Sequence, residues 1–194
     1  KCLSTFPNYR KGIEKTSGSD MDYEKLQFFY RQPIQVGGFG KFVSSIELGK
    51  TFGEVPLSLL DIVPGNQTLF SLQGTFPLLD FYDFVTDTYA SVNFEHNFNG
   101  RFFSRIPFLR NLDLREIISV RAVSGSISEE NQLLNASSTN PVLRAPDKEP
   151  YWSYSLGVDN IFRVLRLDFH FRGNYKDLPD ARTFGITGGF GFSF

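Results

Sequence analysis

Residues 183–194 place the strongest constraint on what this chain can fold into. Phe184, Ile186, Phe190, Phe192 and Phe194 share one parity, with Gly188 the gap in their row, while Thr183, Gly185, Thr187, Gly189, Gly191 and Ser193 fill the other. Successive side chains of a β-strand point to opposite faces. The spacing therefore predicts a strand with one apolar, aromatic-rich face and one thin, wettable face. A bare aromatic strand is a poor terminus for a soluble protein, because ends fray and an exposed apolar edge invites aggregation. It suits the last strand of a bacterial outer-membrane barrel, whose row faces lipid and whose terminal aromatics serve the barrel assembly machinery as a recognition signal. The closing strand of a soluble barrel or sandwich, with the same row in its core, is the competing reading.

The same period of two recurs upstream. Phe42, Ser44, Ile46 and Leu48 oppose Lys41, Ser45 and Glu47; Ala90, Val92, Phe94 and Phe98 oppose Ser91, Asn93, Glu95 and Asn97. Ile118, Val120 and Ala122 alternate with Arg115, Ser119 and Arg121, Trp152 to Val158 with Ser153 to Asp159, and Leu165 to Phe171 with Arg166 to Arg172. A weaker strand is expected over Tyr23–Arg31, and another over Gln67–Phe76, with Thr68, Phe70, Leu72 and Phe76 on one face. Residues 1–23 are polar, with Gly12 and Gly18, and read as a loop leading into a barrel that occupies 24–194. The result is an all-β antiparallel meander of about eight strands without a helix of three turns. The links at 49–65, 99–113 and 159–162 are expected at one end of the strands. Those at 33–39, 77–87, 125–150 and 173–182 are expected at the other. Residues 126–150, rich in Ser, Asn, Glu and Pro, are too long and polar for an internal loop and fit an external one.

Alternation alone does not say which face is inside. A soluble barrel points the apolar face inward, and a membrane barrel inverts it. With 22 Phe in 194 residues, the apolar rows are too bulky for the interior of a small barrel. Aromatics also gather toward strand ends, at Phe98, Trp152, Tyr154, Tyr175 and Phe194, where a headgroup girdle would lie. Both features favour lipid outside and a transmembrane β-barrel. The wettable face then becomes a lumen, with a charge network of Arg166, Asp168, His170 and Arg172 joined by Glu95 and by Arg115 or Arg121. No window is apolar enough for a spanning helix, which a strand-built span does not need. The net charge of −1 suggests no nucleic-acid partner, and Cys2, the sole cysteine, leaves no disulfide framework.

Chemistry-bearing patterns are sparse. Gly49-Lys50-Thr51 lacks the earlier glycine of a phosphate loop, since Ser44 stands there, and no helix pattern follows. His170, between Asp168 and Arg172 on the wet face, could act as a base toward Ser153 or Ser155 on a neighbouring strand; a salt-bridged lumen lining explains the same residues more simply. His96 reads as an interfacial residue. Two histidines on separate strands, without a cysteine partner, are a weak metal signal. No catalytic, cofactor or metal site is expected.

Three segments carry a resemblance: ELGKTFGEVPLSLLDIVPGN at 47–66, FYDFVTDTYASVNFEHNFNG at 81–100 and RIPFLRNLDLREIISVRAVSGSISEEN at 105–131. Over about 24–194 the chain resembles the C-terminal half of a Bacteroidota outer-membrane family. Its members carry a carboxypeptidase-regulatory-like domain ahead of a barrel related to the BamA-type surface antigens. The resemblance implies that the chain is the C-terminal part of a larger barrel of about sixteen strands. It also implies a non-enzymatic subunit or scaffold in envelope assembly, transport or secretion, among outer-membrane lipid, the barrel assembly machinery and other outer-membrane or periplasmic subunits. A pore or translocation barrel is the alternative, and an outer-membrane hydrolase a third. The translocating members of the superfamily carry an Arg-Gly pair on a long loop a few strands before the end. The corresponding loop, 77–87, reads as short and lacks the pair, which weighs against an insertase.

Overall fold

The computed structural model describes residues 4–12, 22–136, 143–178 and 181–190. Its strands are β1 (Ser4–Gly12), β2 (Tyr23–Gln35), β3 (Lys41–Phe52), β4 (Asp61–Ile62), β5 (Val85–Thr86), β6 (Thr88–Asn97), β7 (Arg115–Ser126), β8 (Tyr151–Ile161), β9 (Leu165–Arg172) and β10 (Phe184–Phe190). One short helix, α1 (Glu129–Asn135), lies between β7 and β8. Eight strands form one sheet in the order β1-β2-β3-β6-β7-β8-β9-β10, and every neighbouring pair is antiparallel. The all-β meander and its strand number follow the sequence pattern, and β3, β6, β7, β8, β9 and β10 each keep their two rows on opposite faces.

Two strands are exchanged relative to that expectation. Ser4–Gly12, read as lead-in, pairs with β2 along its whole length, from Ser4↔Arg31 to Gly12↔Tyr23. Its sequence hides this because Phe6, Asn8 and Arg10 share a parity and so give no amphipathic alternation. Pro7, opposite Phe28, removes one ladder donor without ending the strand. Conversely, Gln67–Phe76 is not a strand of the sheet. The Asn66 side chain accepts from the Thr68 amide at 2.9 Å and donates to the Phe70 carbonyl at 2.7 Å, folding the segment on itself. Such local side-chain bonds compete directly with a ladder.

Residues 53–87 are therefore one long insertion between β3 and β6, closed at its base by the small hairpin of β4 with β5 (Asp61↔Thr86, Ile62↔Val85). Losing the strand at 67–76 also moves the β2–β3 link to the same end as the β6–β7 and β8–β9 links. The loop 77–87 is thus part of a much longer excursion, although no arginine occurs anywhere in 53–87.

The insertion lies on one face of the sheet, here called inner, and supplies most of the apolar core. Val63, Phe76, Leu79 and Phe84 close over Val123 of β7 and Tyr151 of β8, while Val55, Leu60 and Val85 pack with Leu143. The loop before β8, expected to be wholly polar and unpacked, contributes Leu143 and the buried Asn131 of α1 to this layer.

The turn expected at Asp159–Asn160 is instead a bulge. Val158 pairs with Leu167 and Ile161 with Leu165, so two residues oppose one. Asn160 takes φ of +65° there, a region that asparagine tolerates better than most side chains. The chain then reverses over 162–164.

Candidate functional site

The inner face is organised in transverse rows by the ladder register. Glu95 of β6, Ser119 of β7, Ser155 of β8 and His170 of β9 form one row. Arg31, Ser45, Asn93, Arg121, Ser153 and Arg172 form the next, from β2 to β9. All four residues expected to line the lumen point to this side. Asp168 is 1% exposed, and His170 and Arg172 are each 2% exposed.

The centre of the network is Arg166. Its guanidinium holds Asp168 through two hydrogen bonds, at 2.8 and 2.9 Å, and reaches Glu95 at 2.8 Å. Glu95 stands three strands away, about 14 Å along a flat sheet at about 4.8 Å per strand. Side chains stand roughly perpendicular to a sheet, so the contact requires the sheet to curl around its inner face. Gly157, directly opposite Asp168, permits the arrangement, because a Cβ there would strike the Asp168 carboxylate.

Arg121 is one of the two arginines of β7 expected to join. It donates to Asn93 at 3.3 Å and forms no ion pair with a described residue. Arg115 lies on the same parity at the end of β7, opposite Asp159. Arg172 faces the insertion, donating to the Leu78 carbonyl at 3.3 Å with its guanidinium carbon 5.2 Å from the Tyr151 ring centre.

The histidine and the serines do not assemble into a catalytic group. Ser155 is the cross-strand partner of His170, but its hydroxyl bonds Ser119. His170 Nε2 meets Thr187 Oγ1 at 2.8 Å. Ser153 and Ser155 are both buried, and neither bonds the imidazole. His96 points to the outer face, where its Nε2 lies 2.9 Å from the Phe39 carbonyl. No group of acidic, histidine or cysteine side chains able to hold a metal occurs among the described residues. Lys50 and Thr51 lie in extended β3, with Lys50 over the Phe52 ring and Thr51 bonded to Asp61, an arrangement unlike a phosphate loop.

Sequence reasoning missed the anchors of the insertion. Lys25 pairs with Asp61 at 2.8 Å, both side chains about a tenth exposed, and Gln27 and Thr51 bond the same carboxylate. Arg182 gathers the Leu79 carbonyl, the Asn66 carbonyl and Asp80. Asn131 of α1 accepts from the Val55 amide and donates to the Gly53 carbonyl and Asp87. At the outer edge of β10, Gly188 exchanges hydrogen bonds with Leu69 and Ser71, each 2.7 Å. The parity of Lys25 on β2 was the available signal, and its partner could not be read because Asp61 lies in irregular chain.

The outer face carries the apolar rows. Phe184, Ile186 and Phe190 are 48%, 47% and 70% exposed, and Leu26, Phe28, Leu48, Phe94, Ile118, Trp152, Leu156 and Leu167 also lie open. Phe192 and Phe194, expected to extend the row, lie outside the described residues. Residues 5–130 match the C-terminal domain of a family of unknown function, DUF5686. The chain belongs to that family. The match runs from β1 into α1, so the insertion and the Glu95 and Arg121 side of the network lie within the DUF5686 domain, while β8, β9 and β10 continue the same sheet beyond it. No curated protein matches the chain.

Proposed function

We propose that this chain forms one side of a transmembrane β-barrel of the bacterial outer membrane, completed by further strands to about sixteen. In this reading it is a non-enzymatic subunit or scaffold of an envelope assembly, transport or secretion complex. Its partners are outer-membrane lipid, the barrel assembly machinery and other outer-membrane or periplasmic subunits, and its relatives are the Bacteroidota barrels. The observation that carries the reading is the inversion of the sheet. The apolar rows of β2 through β10 stand open on the outer face, while Asp168, His170 and Arg172 are buried on the inner one. In water such a continuous apolar face is an aggregation surface; against hydrocarbon it is the expected boundary.

The insertion favours a scaffold over an open pore. It occupies the inner face, and there Arg166 is paired with Asp168 and, across strands, with Glu95, charges of both signs instead of the lining of a single-sign channel. Phe184, Ile186 and Phe190 then face lipid, and Phe192 and Phe194 complete the assembly signal. Fractionation of cells producing the full protein tests the reading. It should sediment with outer membranes, resist urea and carbonate extraction, and show heat-dependent mobility on a gel. Recovery of folded protein in buffer without detergent refutes it. Steady conductance in planar bilayers would favour the pore.

A further inference from the structure

The row Arg31–Ser45–Asn93–Arg121 runs along the floor of a cavity of about 440 Å³, roofed by Ser71 to Phe76 of the insertion. That volume falls in the range of small-molecule sites. Arg121 is only 7% exposed. Its Nε donates to Asn93, and its two terminal amino groups make no hydrogen bond with a described residue, yet neither is sealed from solvent. Arg31, at the other end of the row, donates to the Gln73 amide oxygen at 2.6 Å. Neither guanidinium forms an ion pair with a described residue. The nearby carboxylates are otherwise engaged: Glu95 with Arg166 at 2.8 Å, and Glu47 accepting from the Tyr89 hydroxyl at 2.7 Å.

A guanidinium buried with its terminal donors unpaired is costly, and its planar fork of donors matches a carboxylate or phosphate. Four polar side chains on one row, two of them arginines with donors unspent, make a cradle open toward the cavity. We propose that this cavity binds a small molecule through one oxyanion group, a carboxylate or a singly charged phosphate. The group sits over Ser45 and Asn93 between Arg31 and Arg121, beneath Gln73. The whole lining sets Arg31, Arg121 and Arg166 against Glu47, Glu95 and Asp159, no net charge, so the two arginines can hold one anionic group locally while a polyanion is disfavoured. The cavity is several times larger than the anionic group itself, leaving room for the remainder of the ligand. The inference concerns the inner face alone and does not depend on what touches the outer one.

Thermal unfolding of the full protein, in whichever of detergent or buffer keeps it folded, tests the site with acetate, inorganic phosphate, N-acetylglycine and pyrophosphate as probes. Ionic strength is held constant with chloride. Acetate, phosphate or N-acetylglycine should raise the melting temperature saturably, and pyrophosphate should do so less. Tighter binding of N-acetylglycine than of acetate identifies the end group of a larger molecule; equal binding identifies a free anion. Arg121→Gln should weaken binding at least tenfold. Arg31→Gln, at a more open position, should weaken it severalfold and serves as the deciding variant if the first does not fold. Absence of any saturable shift beyond chloride, or binding unchanged in the folded variants, overturns the proposal.

Discussion

Ile186 is the third of the seven residues of β10, pairs with Phe169 and leaves 47% of its surface uncovered on the outer face. Two substitutions there separate a lipid boundary from a water boundary. Ile186→Gln removes the half-buried branched side chain, a loss of about 1 kcal/mol given about 1.5–3 kcal/mol for complete burial. Ile186→Arg removes the same contacts and adds a charge. In water the two variants should agree within about 0.5 kcal/mol, because the new side chain extends into solvent. In hydrocarbon the arginine costs about 2–4 kcal/mol at mid-depth and less near either rim, so Ile186→Arg should fall below Ile186→Gln by about 2 kcal/mol. Equilibrium urea unfolding in lipid vesicles, followed by tryptophan emission, supplies both values if the slope with urea is the same for each. Equal stabilities of the two variants would refute lipid contact at β10.

Asp168→Ala should destabilise by about 3 kcal/mol, because it strips a partly buried guanidinium of its two-point partner; Glu95→Gln, which leaves that partner in place, should cost clearly less in the same urea titration. Gly157→Ala drives a methyl into the Asp168 carboxylate and toward Ile117 and should cost about 1–3 kcal/mol, with much of the loss disappearing in the Asp168→Ala background. On intact cells trypsin should cut first at Arg144 or Lys148, in the exposed part of the β7–β8 connection; first cleavage at Arg105, Arg110 or Arg163 instead reverses the orientation proposed for the barrel.

The strands that could be read from sequence are those whose two faces differ in chemistry. β3, β6, β7, β8, β9 and β10 each set a bulky apolar row against a small or charged one, and parity then fixes which residues stand together. Arg166, Asp168, His170 and Arg172 share one face for this reason, although His170 and Arg172 turn to Thr187 and Leu78 instead of joining the ion pairs. β1 was not legible because its rings and polar groups mix on both parities. Residues 67–76 were misread because Thr68, Phe70 and Leu72 mimic alternation while Asn66 closes a local turn. Pairing across the fold was beyond the pattern: nothing in spacing ties Asp61 to Lys25, or Leu78 to Arg172, since those contacts arise when irregular chain folds back onto a regular sheet. The candidate anion cradle was hidden likewise. Arg31 and Arg121 are 90 positions apart in sequence and meet only through the register of four strands.

The insertion also changes how the sheet can come apart. A plain meander frays from its outermost strands, each hairpin leaving alone. Here residues 53–87 grip β2 through Lys25, β9 through Arg172, the approach to β10 through Arg182, β10 itself at Gly188, and the β7–β8 connection through Asn131. These attachments span the sheet from its second strand to its last. Loosening β10 means lifting the insertion, and lifting it exposes Asp61 and Lys25 at the opposite side. The inner layer thus acts as a tie across the curl. Amide exchange in β2 and β10 is therefore expected to report one shared opening event, with β1 outside that coupling.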